Sequence, residues 1–200
     1  MVDENTKIDI IGEKLEYVSR AALKLKKAVE YFDILLDNKI LIDIGSSTGG
    51  FSDYAIKSNI SKIYAIDVGK DQFDKELSKN SKIQLYEQTD FRKIDSKLIY
   101  DANIATIDVS FISSIKLLEK IKELSNLKEI ILLIKPQFEV GVEVANKYKG
   151  IIKSDSERRK AVENVIIEFE KVGFFCNGVT TSPIKGGDGN IEYLAYFIKK

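Results

Sequence analysis

The chain has 200 residues, of which 44% are hydrophobic, and its 31 basic side chains balance 31 acidic ones. This length and composition predict one globular domain with a substantial core, and the zero net charge means that any nucleic acid must be bound by a local basic face. The single cysteine, Cys176, allows no internal disulfide, and the absence of histidine argues against a zinc site or a Ser-His triad.

Strand-like and helix-like runs alternate along the chain. We predict strands at KILIDI (39–44), KIYAID (62–67), KIQLYEQ (82–88), ANIATID (102–108), EIILLIK (129–135), GVTTSPI (178–184) and IEYLAYFIK (191–199). Helices are predicted at 19–32, 50–58, 71–79, 113–124 and 155–172, with Ser154 or Asp155 as the N-cap of the last one. Residues 1–16 and the polar stretch at 140–154 are predicted to be linkers.

This alternation is typical of a doubly wound α/β domain. The fifth strand is apolar on consecutive residues, which suits a strand that helices cover on both faces. We therefore predict a Rossmann-like fold with a mostly parallel seven-stranded sheet, the last strand antiparallel, and helices on both faces. Ligands bind beyond the carboxyl edge of such a sheet, so the residues that end the strands are the candidates for a functional site.

A glycine-rich loop follows the first predicted strand and reads DIGSSTGGF, residues 43–51. It is not a P-loop, because a P-loop has Lys and then Ser or Thr after its last glycine, whereas Phe51 follows here. It is not the G-x-G-x-x-G dinucleotide fingerprint either, because three residues other than glycine follow Gly45. What remains is Asp-x-Gly-x-x-x-Gly, a backbone that can approach a ligand closely. The carboxylate of Asp43 at its start suits a ligand with a positive amino group better than a pyrophosphate.

Acidic residues also follow the next two strands. Asp67 ends the second strand, where a carboxylate can accept hydrogen bonds from both hydroxyls of a ribose, and the third strand leads to Asp90, near an adenine amino group. Together with the loop, these residues favour S-adenosylmethionine (SAM) as the cofactor. The alternative is a tight strand-to-helix turn with two solvated acids.

Four more charged residues are predicted to meet at this edge. Asp108 ends the fourth strand, Lys135 ends the fifth, and Glu192 begins the last strand, which reaches the same edge if it runs antiparallel. Lys24 lies on the core-facing side of the first helix, where a lysine is costly unless an acid meets it. Asp108 and Glu192 are the candidate partners. The alternative for Lys135 is an ordinary lysine that reaches solvent from a strand end.

Six segments resemble the TlyA, or hemolysin A, family of FtsJ-like ribosomal RNA 2'-O-methyltransferases. They are YVSRAALKL (17–25), LIDIGSSTGGFSDYAI (41–56), YAIDVGKDQ (64–72), TIDVSFIS (106–113), LLIKPQFEVG (132–141) and SPIKGGDGNIEYL (182–194). The resemblance makes residues 17–200 an FtsJ-like methyltransferase domain. It implies a catalytic tetrad of Lys24, Asp108, Lys135 and Glu192. It also implies SAM contacts at Gly45, Gly49, Phe51, Asp67 and Asp90. Asp43, Ser46 and Ser47 of the same glycine loop are further candidates for SAM binding.

The resemblance also implies a substrate, a cytidine ribose in 16S and 23S ribosomal RNA. Family members usually begin with a small RNA-binding domain, whereas the methyltransferase signature here begins at Tyr17, so we expect weak independent binding to rRNA. Candidate RNA contacts are Arg20, Lys147, Lys149, Lys153, Arg158 and Arg159, and the alternative for them is a solvated run of charge.

A ribose 2'-hydroxyl is a weak nucleophile that must lose its proton as it attacks. In a chain without histidine, a lysine is the natural base, and we assign this role to Lys135, with Lys24 as the neighbouring cation. Asp108 and Glu192 are expected to orient the two lysines. The protein then mainly aligns the reacting atoms, and no metal is expected.

Two other functions stay open. One is a membrane-active cytolysin, as the hemolysin name suggests, but the start MVDENTKIDI is no signal peptide and the longest apolar run is Ile130 to Ile134. We therefore expect a cytoplasmic protein without a membrane partner. The other is a SAM-binding protein without catalysis, against which the complete tetrad argues.

Overall fold

The computed structural model describes residues 16–187 and 189–200, so the predicted linker at 1–16 lies almost wholly outside the described residues. One sheet of seven strands organises this part of the chain, in the order β3-β2-β1-β4-β5-β7-β6. The strands are β1 Ile40–Ile44, β2 Lys62–Ile66, β3 Ile83–Tyr86, β4 Ile104–Ile107, β5 Glu129–Ile134, β6 Phe174–Thr181 and β7 Tyr193–Lys199.

Strands β1 to β5 are parallel, and β7 lies antiparallel between β5 and β6. The predicted fold class is confirmed, including the antiparallel last strand. Strand β4 is buried at every position and β5 at every position after Glu129, which explains why β5 is apolar on consecutive residues.

Helices cover both faces of the sheet, as predicted. They are α1 Ala22–Phe32, α2 Gly50–Lys57, α3 Leu118–Glu123, α4 Pro136–Glu139, α5 Gly141–Lys147 and α6 Asp155–Lys171. Helices α1 and α2 bury Leu25 and Phe51 against one face, and α3 and α6 bury Ile121 and Phe169 against the other. Of the two N-cap candidates for α6, Ser154 is the cap, because its side chain accepts a hydrogen bond from the Glu157 N–H.

The predicted helix over 71–79 is wrong, since only a short 3-10 turn, Leu77–Lys79, forms there. Asp71 has a φ of 54°, and the N–H groups of residues 71–73 donate to the Glu87 carboxylate, so this backbone is committed to a loop. The bonds to these N–H groups, that of Phe73 first, hold the pKa of Glu87 below its usual value.

Three further predictions differ from the structure in extent or in helix type. The stretch at 140–154, predicted as a linker, contains α5. Strand β6 begins at Phe174 and not at residue 178, because a bulge between Cys176 and Gly178 breaks the alternation by which the strand could be read. The predicted helix over 113–124 forms as a 3-10 turn, Ser114–Leu117, followed by α3.

Candidate active site

Gly45 lets the end of β1 approach the end of β4. Its φ is +83°, and a Cβ at this position would lie 2.5 Å from the backbone oxygen of Asp108. Gly49 has a φ of +90°, and a Cβ there would lie 2.8 Å from Leu77 and 2.9 Å from Phe73. A side chain at either position would strain the turn and push the glycine loop away from its neighbours.

A cavity of about 550 Å³ opens beside this loop, at the carboxyl edge of the sheet. Its size is that of an ordinary cofactor site. Asp67 lines it and is fixed by the backbone, because Ser47 N–H donates to Oδ2 at 2.8 Å and Gly69 N–H donates to Oδ1 at 2.7 Å. Gly45, Ser47, Asp90 and Asp108 also line the cavity.

Asp90 lies in the same cavity but forms an ion pair that the sequence reading did not anticipate. The Arg92 guanidinium donates to both of its carboxylate oxygens, at 2.6 to 3.2 Å, and the Arg92 N–H donates to Oδ1 at 3.0 Å. The bonds from the Arg92 side chain hold the pKa of Asp90 below its usual value. Arg92 also lines the cavity, so the far end of the site presents a charged pair.

Asp43 is fully buried beneath the glycine loop. Its two oxygens accept hydrogen bonds from Ser52 at 2.6 Å and Thr106 at 2.9 Å, which connect β1 to α2 and β4. Burial raises the pKa of Asp43 to about 6 despite these two bonds. Asp43, Ser46 and Phe51 line a smaller pocket of about 100 Å³ next to the main cavity.

Two buried hydroxyls at the glycine loop accept or donate no hydrogen bond within the described residues. They are Ser46 Oγ and Ser19 Oγ, and the latter lies 2.3 Å from where a Cβ on Gly50 would be. A buried polar atom without a partner is costly and marks a place where a polar ligand group fits. The cavity, the oriented Asp67 and these hydroxyls suit the ribose and the polar amino-acid end of SAM. Ser19 precedes α1, and nothing in the sequence singled it out.

The four tetrad residues form two ion pairs at this edge. Lys24 Nζ lies 2.6 Å from Glu192 Oε2, with both side chains buried, and Lys135 Nζ lies 2.6 Å from Asp108 Oδ1. The contact between Lys135 and Asp108 lacks hydrogen-bond geometry. The Lys135 ammonium instead donates a hydrogen bond to Ser110 Oγ at 2.8 Å. Of the two candidate partners of Lys24, the structure pairs it with Glu192 and not with Asp108.

The strand register explains why these pairs adjoin. Strands β5 and β7 end their pairing at Ile134 and Tyr193, so Lys135 and Glu192 leave the sheet side by side at the edge where β4 delivers Asp108. An antiparallel β7 is what brings Glu192 there.

A profile of FtsJ-like methyltransferases matches residues 17–199, nearly the whole chain. The chain belongs to the FtsJ-like methyltransferase family. Among its relatives, a Campylobacter jejuni protein named 23S rRNA (cytidine-2'-O)-methyltransferase TlyA is 44% identical over 100% of this chain and 77% of its own length. Hemolysin A of Brachyspira hyodysenteriae is 41% identical over 98% of this chain and 82% of its own.

Solved structures agree with this assignment. A crystal structure of a hemolysin candidate from Lactococcus lactis is 39% identical and superposes with a TM-score of 0.87, covering 94% of this chain and 90% of its own. The family resemblance read from the sequence is confirmed.

One exposed aromatic residue beside the cavity of this FtsJ-like protein was not among the site residues predicted from the sequence. Phe111 is 88% exposed and has a φ of 67°, which is unusual for a bulky residue. It lines the cavity next to Asp108 and packs against Phe138 at 5.4 Å between ring centroids. The available signal in the sequence was an aromatic residue three positions after Asp108, at the end of a strand of the site.

The predicted RNA contacts of this methyltransferase differ in their surroundings. Arg20, Lys147, Lys149, Lys153 and Arg159 are exposed. Arg158 is instead folded onto the protein, where it donates to the backbone oxygens of residues 152 and 153 and to the Tyr193 hydroxyl. Its guanidinium holds the segment before α6 in place.

Within the described ranges 16–187 and 189–200, no group of three or more His, Cys, Asp or Glu side chains is arranged to hold a metal ion. None of the helices in the described part of the chain is long and apolar enough to cross a membrane.

Proposed function

We propose that this protein is a SAM-dependent methyltransferase that methylates a ribose 2'-hydroxyl of ribosomal RNA in the cytoplasm. The observation that carries the proposal is the pair of lysine–carboxylate contacts beside the cavity, on four different elements of the fold. Family membership supports methyl transfer, and the name of the Campylobacter jejuni relative supports a cytidine ribose as the target.

The proposed SAM site is the cavity at the glycine loop. Asp67 would accept hydrogen bonds from the ribose hydroxyls, Asp90 would face the adenine, and Gly45, Ser46, Ser47 and Gly49 would surround the amino-acid end. Asp43 and Phe51 would support the loop from beneath, since both are buried there. When bound, SAM supplies an electrophilic methyl group, which an uncharged oxygen nucleophile needs.

Lys135 is the proposed base that takes the proton of the 2'-hydroxyl. It is the tetrad lysine at the cavity side, because its partner Asp108 lines the cavity. A general base accepts the proton only in its neutral form, so the rate should rise with pH. Lys24 and Glu192, whose carboxylate is more deeply buried than that of Asp108, would hold the edge of the sheet and the substrate ribose in place.

Phe111 is the proposed platform for the target base. An exposed ring beside the acceptor position can stack on a base that has left its helix, and such stacking is worth about 1–3 kcal/mol per base. The exposed Arg20, Lys147, Lys149, Lys153 and Arg159 would contact phosphates, whereas Arg158 would act indirectly by holding its segment.

The test is single-turnover methyl transfer from labelled SAM to ribosomal RNA and to ribosomal subunits, followed by mapping of the modified ribose. We expect a 2'-O-methyl group on cytidine, and labelling of a base or of no RNA would contradict the proposal. SAM binding without transfer to any RNA would instead favour a SAM-binding protein without catalysis.

A further inference from the structure

Glu139 connects the two loops that carry the Lys135–Asp108 pair. It lies in α4, the single helical turn that directly follows Lys135. Its Oε1 accepts hydrogen bonds from Ser114 N–H at 2.9 Å and Ser114 Oγ at 2.8 Å, and its Oε2 accepts one from Ser113 Oγ at 2.5 Å. Ser114 is 1% exposed, so this contact is shielded from water.

A series of contacts joins residues 135–139 to residues 108–114. We call residues 108–114 the Asp108 loop. Lys135 meets Asp108 and Ser110, Phe138 packs against Phe111, and Glu139 then binds the two serines. Between its ends the Asp108 loop has no strand or helix hydrogen bonds, and Phe111 has a φ of 67°. Its conformation therefore depends on side-chain contacts with the turn after β5.

We propose that Glu139 is a positioning residue for the reaction. It anchors the far end of the Asp108 loop, so that Asp108 faces Lys135 at one end and the Phe111 ring stays beside the cavity in the middle. The carboxylate acts through these residues and does not touch the substrate. This inference rests on the proposed function for its consequence, but the placement of Phe111 can be measured without any activity.

The carboxylate is suited to this task because all three groups that meet it are donors. A glutamine in its place would keep one acceptor oxygen and turn an N–H₂ group toward a serine hydroxyl, which would have to reverse its bond and accept, and all the remaining bonds would lose the charge of the carboxylate. Glu139→Gln is therefore a nearly isosteric test of the charge. Glu143→Gln is the matched control, since Glu143 is an exposed glutamate on the next helix.

The first measurement uses a reporter and needs no substrate. The chain contains no tryptophan, so Phe111→Trp introduces a single tryptophan at the platform, whose fluorescence can be excited apart from that of the nine tyrosines. We expect Glu139→Gln to raise acrylamide quenching of this tryptophan about twofold or more, because the loop is released, and Glu143→Gln to leave it unchanged. Equal quenching in both variants would overturn the proposal.

The second measurement uses the native Phe111 and methyl transfer. We expect Glu139→Gln to lower kcat by about tenfold or more, while SAM affinity and thermal midpoint stay close to those of wild type and of Glu143→Gln. Combining Glu139→Gln with Ser113→Ala and Ser114→Ala should cost little more than Glu139→Gln alone, because all three changes break one contact.

A wild-type kcat in Glu139→Gln, or additive losses in the combined variant, would contradict the positioning role of Glu139. A parallel loss of SAM affinity and of folding would also contradict it, because such a loss indicates a merely structural role. A wild-type protein that methylates no RNA would refute the proposed function, while the quenching result would still decide whether Glu139 holds the loop.

Discussion

Lys24 donates to Glu192 at 2.6 Å across 168 residues of chain, and this contact fastens α1 to the start of β7. Both side chains are almost inaccessible, with 10% and 3% of their surface exposed. A buried ion pair of this kind stabilises little against an apolar pair, but losing one partner leaves an uncompensated charge in the interior.

Lys24→Met should therefore destabilise the protein by about 3–5 kcal/mol, measured by urea unfolding followed by circular dichroism. The double variant Lys24→Met/Glu192→Gln should regain much of that loss yet remain inactive, because the stray charge is gone but the tetrad is not restored. Lys122→Met, which breaks an exposed pair with Glu119, is the control and should change stability by less than about 1 kcal/mol. A Lys24→Met protein as stable as this control would contradict the argument.

Lys135→Ala should abolish methyl transfer and leave SAM affinity nearly intact, since the proposed cofactor contacts lie on the first three strands. Lys135→Arg should fail as well, because arginine keeps the charge but cannot give up its proton. The wild-type single-turnover rate should rise with pH. An active Lys135→Arg enzyme would show that the residue is an electrostatic clamp and not the base.

Asp67→Ala should weaken SAM binding by about 1.5–3 kcal/mol, the typical value for hydrogen bonds to a charged group. The same change frees the N–H groups of Ser47 and Gly69, so the loop itself should loosen. Calorimetry with SAM measures the effect, and Glu163→Ala on the outer surface of α6 serves as the control. Unchanged affinity would remove Asp67 from the ribose site.

Asp43 should make the protein less stable as the pH rises from about 3.8 to about 6. Its folded pKa is raised, so the folded state binds a proton in this window that the unfolded state has lost, and stability falls with increasing pH. Two units of pKa correspond to about 3 kcal/mol. Asp43→Asn should remove this part of the pH profile of unfolding, whereas Glu163→Gln should not. Parallel profiles for wild type and Asp43→Asn would contradict the prediction.

Binding of the chain to naked rRNA should be weak and strongly dependent on salt, because only a local group of cations meets phosphate. Lys149→Ala/Lys153→Ala should lower the slope of log affinity against log salt by about 1.4 for single-stranded RNA. Arg158→Ala should instead lower thermal stability, since it removes the contacts that hold residues 152 and 153. Nanomolar binding that survives high salt would show that a different surface is used.

The alternation of strands and helices, and the meeting of the four predicted tetrad residues at one edge, were predictable because they follow from local pattern and strand direction. Apolar runs ending in Asp108 and Lys135, and a lysine on the apolar stripe of α1, are visible without any contact map. The pairing of Lys24 with Glu192 was left open between two acids, because only the register of β7 against β5 decides it.

Other features depend on contacts that a local pattern does not contain. Residues 71–73 have a helix-like sequence pattern, but their N–H groups donate to the carboxylate of Glu87, which lies 14 to 16 residues further along the chain. The exposure of Phe111 could not be predicted from the sequence, because its φ of 67° and its contact with Phe138 of α4 are set by the fold. Likewise, nothing in the sequence around Asp90 indicates that Arg92 shares the cavity with it.

Because β7 lies between β5 and β6, this part of the sheet cannot form until β7 has been synthesised. As the chain leaves the ribosome, β6 has no neighbour to pair with, and β5 presents an open edge whose residues 130–134 are all aliphatic. Both pair only with Tyr193–Lys199, which follows them in the chain. A nascent chain that has not reached Glu192 and β7 therefore combines an incomplete set of tetrad residues with an unpaired strand edge, the condition in which nascent proteins aggregate or require a chaperone.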